Sequence, residues 1–157
     1  MDHRTKGFTL IELLVALAIF LMLITLGVPA FTRSVQSTKA DTEVGDLQRG
    51  LNYARLEAIN RGATLRLRPT AGGSVWTGEL AVYDGTANAA NVLRVVPAMS
   101  SGATLTLPSG VTAIDFNNLG GLSASPTPVV IDYVLGAQSR KLSVCLNGRI
   151  LLGGNCG

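Results

Sequence analysis

At 157 residues the chain has the length for one modest domain, which excludes a multidomain enzyme. Charged residues make up 15% and aromatics 5%, while glycine reaches 18, a balance that suits short strands joined by many turns and excludes a purely helical bundle. The net charge is +3, and beyond residue 32 eleven lysines and arginines stand against eight acidic residues, too small an excess to imply a polyanion as partner.

Residues 1–7 read as a short leader with Arg4 and Lys6 for charge, too short to fold. From Leu13 to Phe31 nineteen residues carry no charge, and a helix needs about 20 apolar residues to cross a hydrocarbon core. Residues 8–31 are therefore expected to form a transmembrane helix. Its one acid, Glu12, reads as functional, because a carboxylate within such a run costs roughly 2.5–3.5 kcal/mol near a bilayer centre, less near a helix end. Were the chain cut between Gly7 and Phe8, the new amine of Phe8, with a pKa of roughly 8, would be a cation four residues before Glu12 and could pair with it in the same helix or in a neighbour. Val28-Pro29-Ala30 also fits a signal peptidase exit, but the apolar core of a secretory signal runs to about 7–15 residues and seldom holds an acid.

Gly27 and Pro29 predict a kink or local unwinding near residues 26–29, after which the helix resumes. From Ala40 the apolar positions Ala40, Val44, Leu47, Leu51, Ala54 and Ala58 recur at alternating spacings of four and three, one stripe of an amphipathic helix over residues 32–62. Asn60-Arg61-Gly62 is its stop, with Gly62 able to take the left-handed cap conformation.

After Gly62 the period falls to two, and residues 63–157 are expected to be β-rich. Ala63, Leu65 and Leu67 alternate with Thr64, Arg66 and Arg68, and Trp76, Gly78, Leu80 and Val82 with Thr77, Glu79, Ala81 and Tyr83. Further strands are expected at 92–97, 103–107, 111–116, 129–135 and 140–146. Turns fall at Ala71-Gly72-Gly73, Asp84-Gly85, Pro108-Ser109-Gly110 and Asn147-Gly148. The last of these predicts a two-residue hairpin with both central residues at positive φ. The fold class is α+β: a long amino-terminal helix packed on a carboxy-terminal antiparallel β domain, as one sheet or two small ones.

Cys145 and Cys156, an even pair in a domain read as exported, predict a disulfide and an oxidising compartment. No catalytic residue, cofactor or metal is expected. Two cysteines with a single histidine, His3, cannot supply four zinc ligands, and beyond residue 3 no histidine exists to activate a serine or cysteine. Asp115 and Asp132 offer a carboxylate pair, but nothing in their spacing requires one.

The string Lys6-Gly7-Phe8-Thr9-Leu10-Ile11-Glu12-Leu13, behind a short basic leader and before an apolar span with Gly27-Val28-Pro29, resembles the signal of type IV pilins and type II secretion pseudopilins. The resemblance implies cleavage after Gly7 by a prepilin peptidase, N-methylation of Phe8, and subunit docking through Phe8 and Glu12. Residues 111–152, with Phe116, the glycines that follow it and a last hairpin at Gly148-Arg149, resemble the GspH/FimT family of minor pilins and pseudopilins, FimT- or FimU-like. That likeness implies a pilin-like fold and a minor pilin that primes or caps type IV pilus assembly, with a type II secretion pseudopilin as the alternative. Its partners would be other minor and major pilins and an inner-membrane assembly platform driven by a separate ATPase. The chain would pass the bacterial inner membrane once, with a periplasmic carboxy-terminal domain, and end in the pilus, near its tip. Some FimT-type members that serve DNA uptake carry Gly-Arg-x-Arg in the last hairpin. Here the sequence is Gly148-Arg149-Ile150-Leu151, which leaves Arg140, Lys141 and Arg149 as a weak nucleic-acid contact at most.

Overall fold

The computed structural model describes residues 7–87, 91–123 and 125–157, so most of the expected leader lies outside it. Contacts divide the chain into two compact units, Met1–Val35 and Gln36–Gly157, each described here by itself.

The first unit is the amino-terminal part of helix α1, which spans Leu10–Arg61 in all. The backbone stays helical through residues 26–29, without the unwinding expected there. Pro29 removes only one donor from the ladder, and helix propagation is cooperative once nucleated. Two threonine hydroxyls bond back into the ladder, Thr25 Oγ1 donating to Met22 O at 2.8 Å and Thr32 Oγ1 to Val28 O at 3.2 Å. Among the described residues no helix is long and apolar enough to cross a membrane. The side chains at 26, 27, 29 and 30, within the expected span, lie outside the described set.

In the second unit the remainder of α1 turns its apolar stripe inward. Ala40, Val44, Leu47, Leu51, Ala54 and Ala58 are all at most 2% exposed, which is the helix face read from the sequence. Eight strands cover it: β1 (Leu65–Pro69), β2 (Leu80–Asp84), β3 (Val92–Val96), β4 (Ala103–Thr106), β5 (Ile114–Phe116), β6 (Val129–Leu135), β7 (Gln138–Val144) and β8 (Ile150–Leu152). They form two antiparallel sheets of four, in the orders β3-β2-β1-β5 and β4-β6-β7-β8. The period of two decides which side chains face the helix: Leu65 and Leu67 of β1, and Val129, Ile131, Tyr133 and Leu135 of β6, are buried while their neighbours are not. Burying one such leucine stabilises by about 1.5–3 kcal/mol, so the stripe and the two sheets hold one another.

The strand expected at 111–116 shortens to Ile114–Phe116, and three further local expectations change. Trp76 and Gly78 precede β2 rather than belong to it; Trp76 N donates to Ser74 O at 3.1 Å in a turn, and the buried indole donates Nε1–H to Val111 O at 3.1 Å. The two-residue hairpin is Gly136-Ala137, between the paired Leu135 and Gln138, with Gly136 at φ 57°, so β7 starts at Gln138 instead of Arg140. Asn147-Gly148 belongs to a three-residue loop, 146–148, closed by Gly148 N to Cys145 O and Cys145 N to Arg149 O, both 2.8 Å. Gly148 alone takes positive φ, 76°, and Asn147 does not. This is a type I turn with a glycine bulge.

Candidate functional site

The amino-terminal segment starts from a helix that must cap itself. Thr9 precedes α1, and its backbone N–H and hydroxyl both donate to Glu12 Oε2, at 2.9 and 3.0 Å. Glu12 N in turn donates to Thr9 Oγ1 at 3.3 Å. This is a reciprocal capping box, readable from Thr-x-x-Glu and missed in the sequence because Glu12 was given only a docking role. Gly7 is exposed and Phe8 is 85% exposed, so the bond between them is open to an enzyme. Phe8, Ile11, Glu12, Val15, Ala16 and Ile19 line one shallow apolar groove. Every large apolar side chain from Phe8 to Ile24 is exposed, far more apolar surface than a chain leaves to water.

In the second unit, carboxylates on α1 fasten it to the sheet β4-β6-β7-β8. Glu43 Oε1 accepts from Ser100 N at 3.0 Å and Ser100 Oγ at 2.5 Å, and Oε2 accepts from the phenol of Tyr133 at 2.6 Å. Burial opposes ionisation of Glu43, but the bonds from Ser100 and Tyr133, with the charge of Lys39, outweigh it and hold the carboxyl below its usual value. Burial first, then the bond to Glu43, pushes the Tyr133 phenol well above the ordinary tyrosine range. Two residues earlier, Asp41 Oδ1 accepts from Arg140 Nε at 2.7 Å, while Arg140 Nη2 donates to Ser37 Oγ at 3.1 Å. The Arg140 bond lowers the Asp41 pKa. Asp41 and Glu43 fall off the apolar stripe of the sequence, and their partners lie about 60 to 100 residues away and leave no local mark.

The acidic and basic residues singled out earlier are separated. Asp115 and Asp132 lie on different sheets and form no pair. Arg66, opposite Asp115 in register, grips it with Nε and Nη2 at 2.7 Å each, and Asp115 is only 5% exposed. That bond raises the Arg66 pKa against the effect of its burial. Asp132 faces its cross-strand neighbour Lys141 at 3.6 Å. Arg140 and Lys141, adjacent on β7, point to opposite faces and each meets an acid, so with Arg149 in the next turn they make no shared basic patch.

The carboxy-terminal tail is folded back on β7. Cys145 and Cys156 are joined by a disulfide with their Cα atoms 5.4 Å apart, Ser143 Oγ donates to Gly154 O at 2.8 Å, and Gly153 N donates to Lys141 O at 2.7 Å. Among the described residues no cluster of histidine, cysteine, aspartate and glutamate could hold a metal ion.

Residues 43–149 match the family of the type II transport protein GspH, and residues 2–28 match the prokaryotic N-terminal methylation motif. No curated protein matches the chain. Among solved structures, the type IV minor pilin FimU of Pseudomonas aeruginosa PAO1 superposes with a TM-score of 0.60 at 22% identity, over 73% of this chain and 92% of that one. A second crystal form of FimU gives 0.61 at 22%, over 78% and 91%. The minor pseudopilin EpsH of the Vibrio cholerae type 2 secretion system gives 0.56 at 17%, over 73% and 95%. These likenesses establish a shared fold: a long helix against antiparallel sheets.

Proposed function

The chain belongs to the GspH family of minor pilins and pseudopilins, and from that premise we propose that it is a minor pilin that primes or caps type IV pilus assembly. The observation that carries this reading is the run of exposed apolar side chains from Phe8 to Ile24, set behind Gly7 and followed by a separate compact unit from Gln36. Apolar surface of that extent needs lipid or copies of similar helices to cover it. A prepilin peptidase cuts between Gly7 and Phe8 and the new amine is methylated. The segment 8–31 rests in the inner membrane, with the β domain on the periplasmic side, and then packs against helices of other minor and major pilins. An assembly platform with its own ATPase supplies the work. Cleavage turns Phe8 into a cation four residues before Glu12; both Thr9 bonds fall on Oε2, so Glu12 can keep its cap while Oε1 meets the amine of a neighbour. Oxidising surroundings suit the Cys145–Cys156 bond.

A second reading, a minor pseudopilin of a type II secretion system, is favoured by the family match and by the fold of EpsH. Deleting the chain in its host separates the two. Loss of surface filaments with secretion intact supports the pilin; filaments intact with enzymes trapped in the periplasm supports the pseudopilin. Loss confined to DNA uptake points to nucleic acid, a reading that the ion pairs of Arg140 and Lys141 disfavour.

A further inference from the structure

Two loops meet at the carboxy-terminal end of α1. In the loop 117–121, Asn117 Oδ1 accepts from Leu119 N and Gly121 N, both at 3.0 Å, Asn117 O accepts from Gly120 N at 2.8 Å, and Asn117 N donates to Gly121 O at 2.9 Å. The loop is seamed to the turn between β7 and β8, where Leu122 N donates to Leu146 O at 3.0 Å. A Cβ on Gly148 would lie 1.7 Å from Gly120 O, so the two backbones touch. Arg55 Nε, from α1, donates to the same Gly120 O at 3.1 Å.

Leu119 is thus held by four hydrogen bonds around it and still points out, 82% exposed. Around it stand Leu146 at the apex of the neighbouring turn, and Ile59, whose Cδ1 lies 2.6 Å from where a Gly120 Cβ would be, with Leu56 one turn away on α1. All three are 45% exposed or more. A fixed, uncovered apolar group costs little ordering entropy when a partner covers it.

The charges beside it are one-signed. Arg49, Arg61, Arg66, Arg140 and Lys141 each meet a carboxylate, but Arg55 and Arg149 have no ion pair among the described residues. The nearest acid on the helix, Glu57, is taken by Arg61 at 2.6 Å. A second copy packed face to face on the same patch would set arginine against arginine. Phosphates would satisfy the arginines but leave four apolar side chains unrewarded, and Phe116, which precedes the loop, is fully buried and cannot stack a base.

We propose that Leu119 and Leu146, with Ile59 and Leu56, form a docking surface for a different protein that presents an apolar socket rimmed by carboxylates, which Arg55 and Arg149 meet. The proposal goes beyond the filament reading and stands or falls separately from it.

The test uses the full chain in its own host, with a photoreactive amino acid incorporated at position 146 and, as control, at the exposed Thr104 of β4. Irradiation is expected to give one protein adduct at 146 and none at 104. Mass spectrometry should map the adduct to an apolar segment flanked by aspartate or glutamate. Leu119→Ser is expected to lower the yield about tenfold, the scale of burying part of one leucine. Arg149→Glu should lower it similarly, and lysine in place of the mapped carboxylate should restore it. Unchanged fluorescence of the buried Trp76 shows that the variants are folded. No adduct, an adduct with a second copy, lipid or nucleic acid, a mapped segment without acids, or an unchanged yield in Leu119→Ser overturns the proposal. An acid-rimmed adduct in a strain whose filaments and secretion ignore deletion of the chain would keep it and remove the filament reading.

Discussion

Glu43→Gln tests whether a single carboxylate fastens α1 to the sheet it crosses. The carboxylate accepts three bonds, two from Ser100 and one from Tyr133, and Tyr133 is only 1% exposed. A hydrogen bond to a charged group contributes about 1.5–3 kcal/mol, and a buried donor left unmet costs about 1–3 kcal/mol. Glutamine keeps one acceptor oxygen, so about 2 kcal/mol should be lost; Glu43→Ala, which keeps none, should lose about 3–4 kcal/mol. Trp76, the single tryptophan and 3% exposed, reports unfolding of the full chain in detergent under urea. With a slope of about 1–3 kcal/mol per molar, the glutamine variant should unfold about 1 M earlier at pH 7. Since the folded-state pKa of Glu43 is lowered, its contribution is full above the unfolded value of about 4.3 and disappears as pH falls through the folded value. The gap between parent and variant should therefore close in acid. Coincident midpoints at pH 7, or a gap undiminished near pH 3, would refute the reasoning.

Glu12→Ala should leave membrane insertion intact but lower incorporation into filaments, read by the amount of chain in sheared filaments. Glu12→Gln separates two roles, because glutamine at this position keeps a capping box without charge; incorporation equal to the parent would reduce Glu12 to a helix cap. Cys145→Ser should cost roughly 3 kcal/mol on the chain-entropy account of a loop with a sequence separation of 11, and natively exported chain should show no titratable thiol. Two free thiols would contradict the bond. Gly148→Ala should lose at least about 2 kcal/mol, because its Cβ would strike backbone Gly120 O while φ stays positive; a parental urea midpoint would show that the two loops are not seamed.

What the sequence shows and hides follows from the range of each interaction. Periodicity is local, so the stripe from Ala40 to Ala58, the strand 129–135 and, to within one residue of the expected 103–107, the strand Ala103–Thr106 could be read directly. Turn geometry was only half readable: Asn147-Gly148 has the composition of a two-residue hairpin, but the pairing of Cys145 with Arg149 adds Leu146 and leaves positive φ to Gly148 alone. Gly136-Ala137, which makes a two-residue hairpin with positive φ at Gly136 alone, carries a first-position glycine as its mark but no asparagine or aspartate. Trp76 and Gly78 carried the alternation one turn too far, because a buried indole in a turn looks like a buried strand position. The bonds of Glu43 and Arg66 join residues 57, 90 and 49 positions apart, and no spacing rule reaches them. Thr9 was readable and overlooked.

The central claim is that this chain is a filament subunit, cut after Gly7 and assembled through the segment that follows. The most direct measurement is mass spectrometry of the chain recovered from sheared surface filaments of its host. The account predicts an amino terminus at N-methylated Phe8, with residues 8–31 retained. A chain that still begins at Met1, one that begins after Ala30, or its absence from every filament and secretion fraction would contradict it.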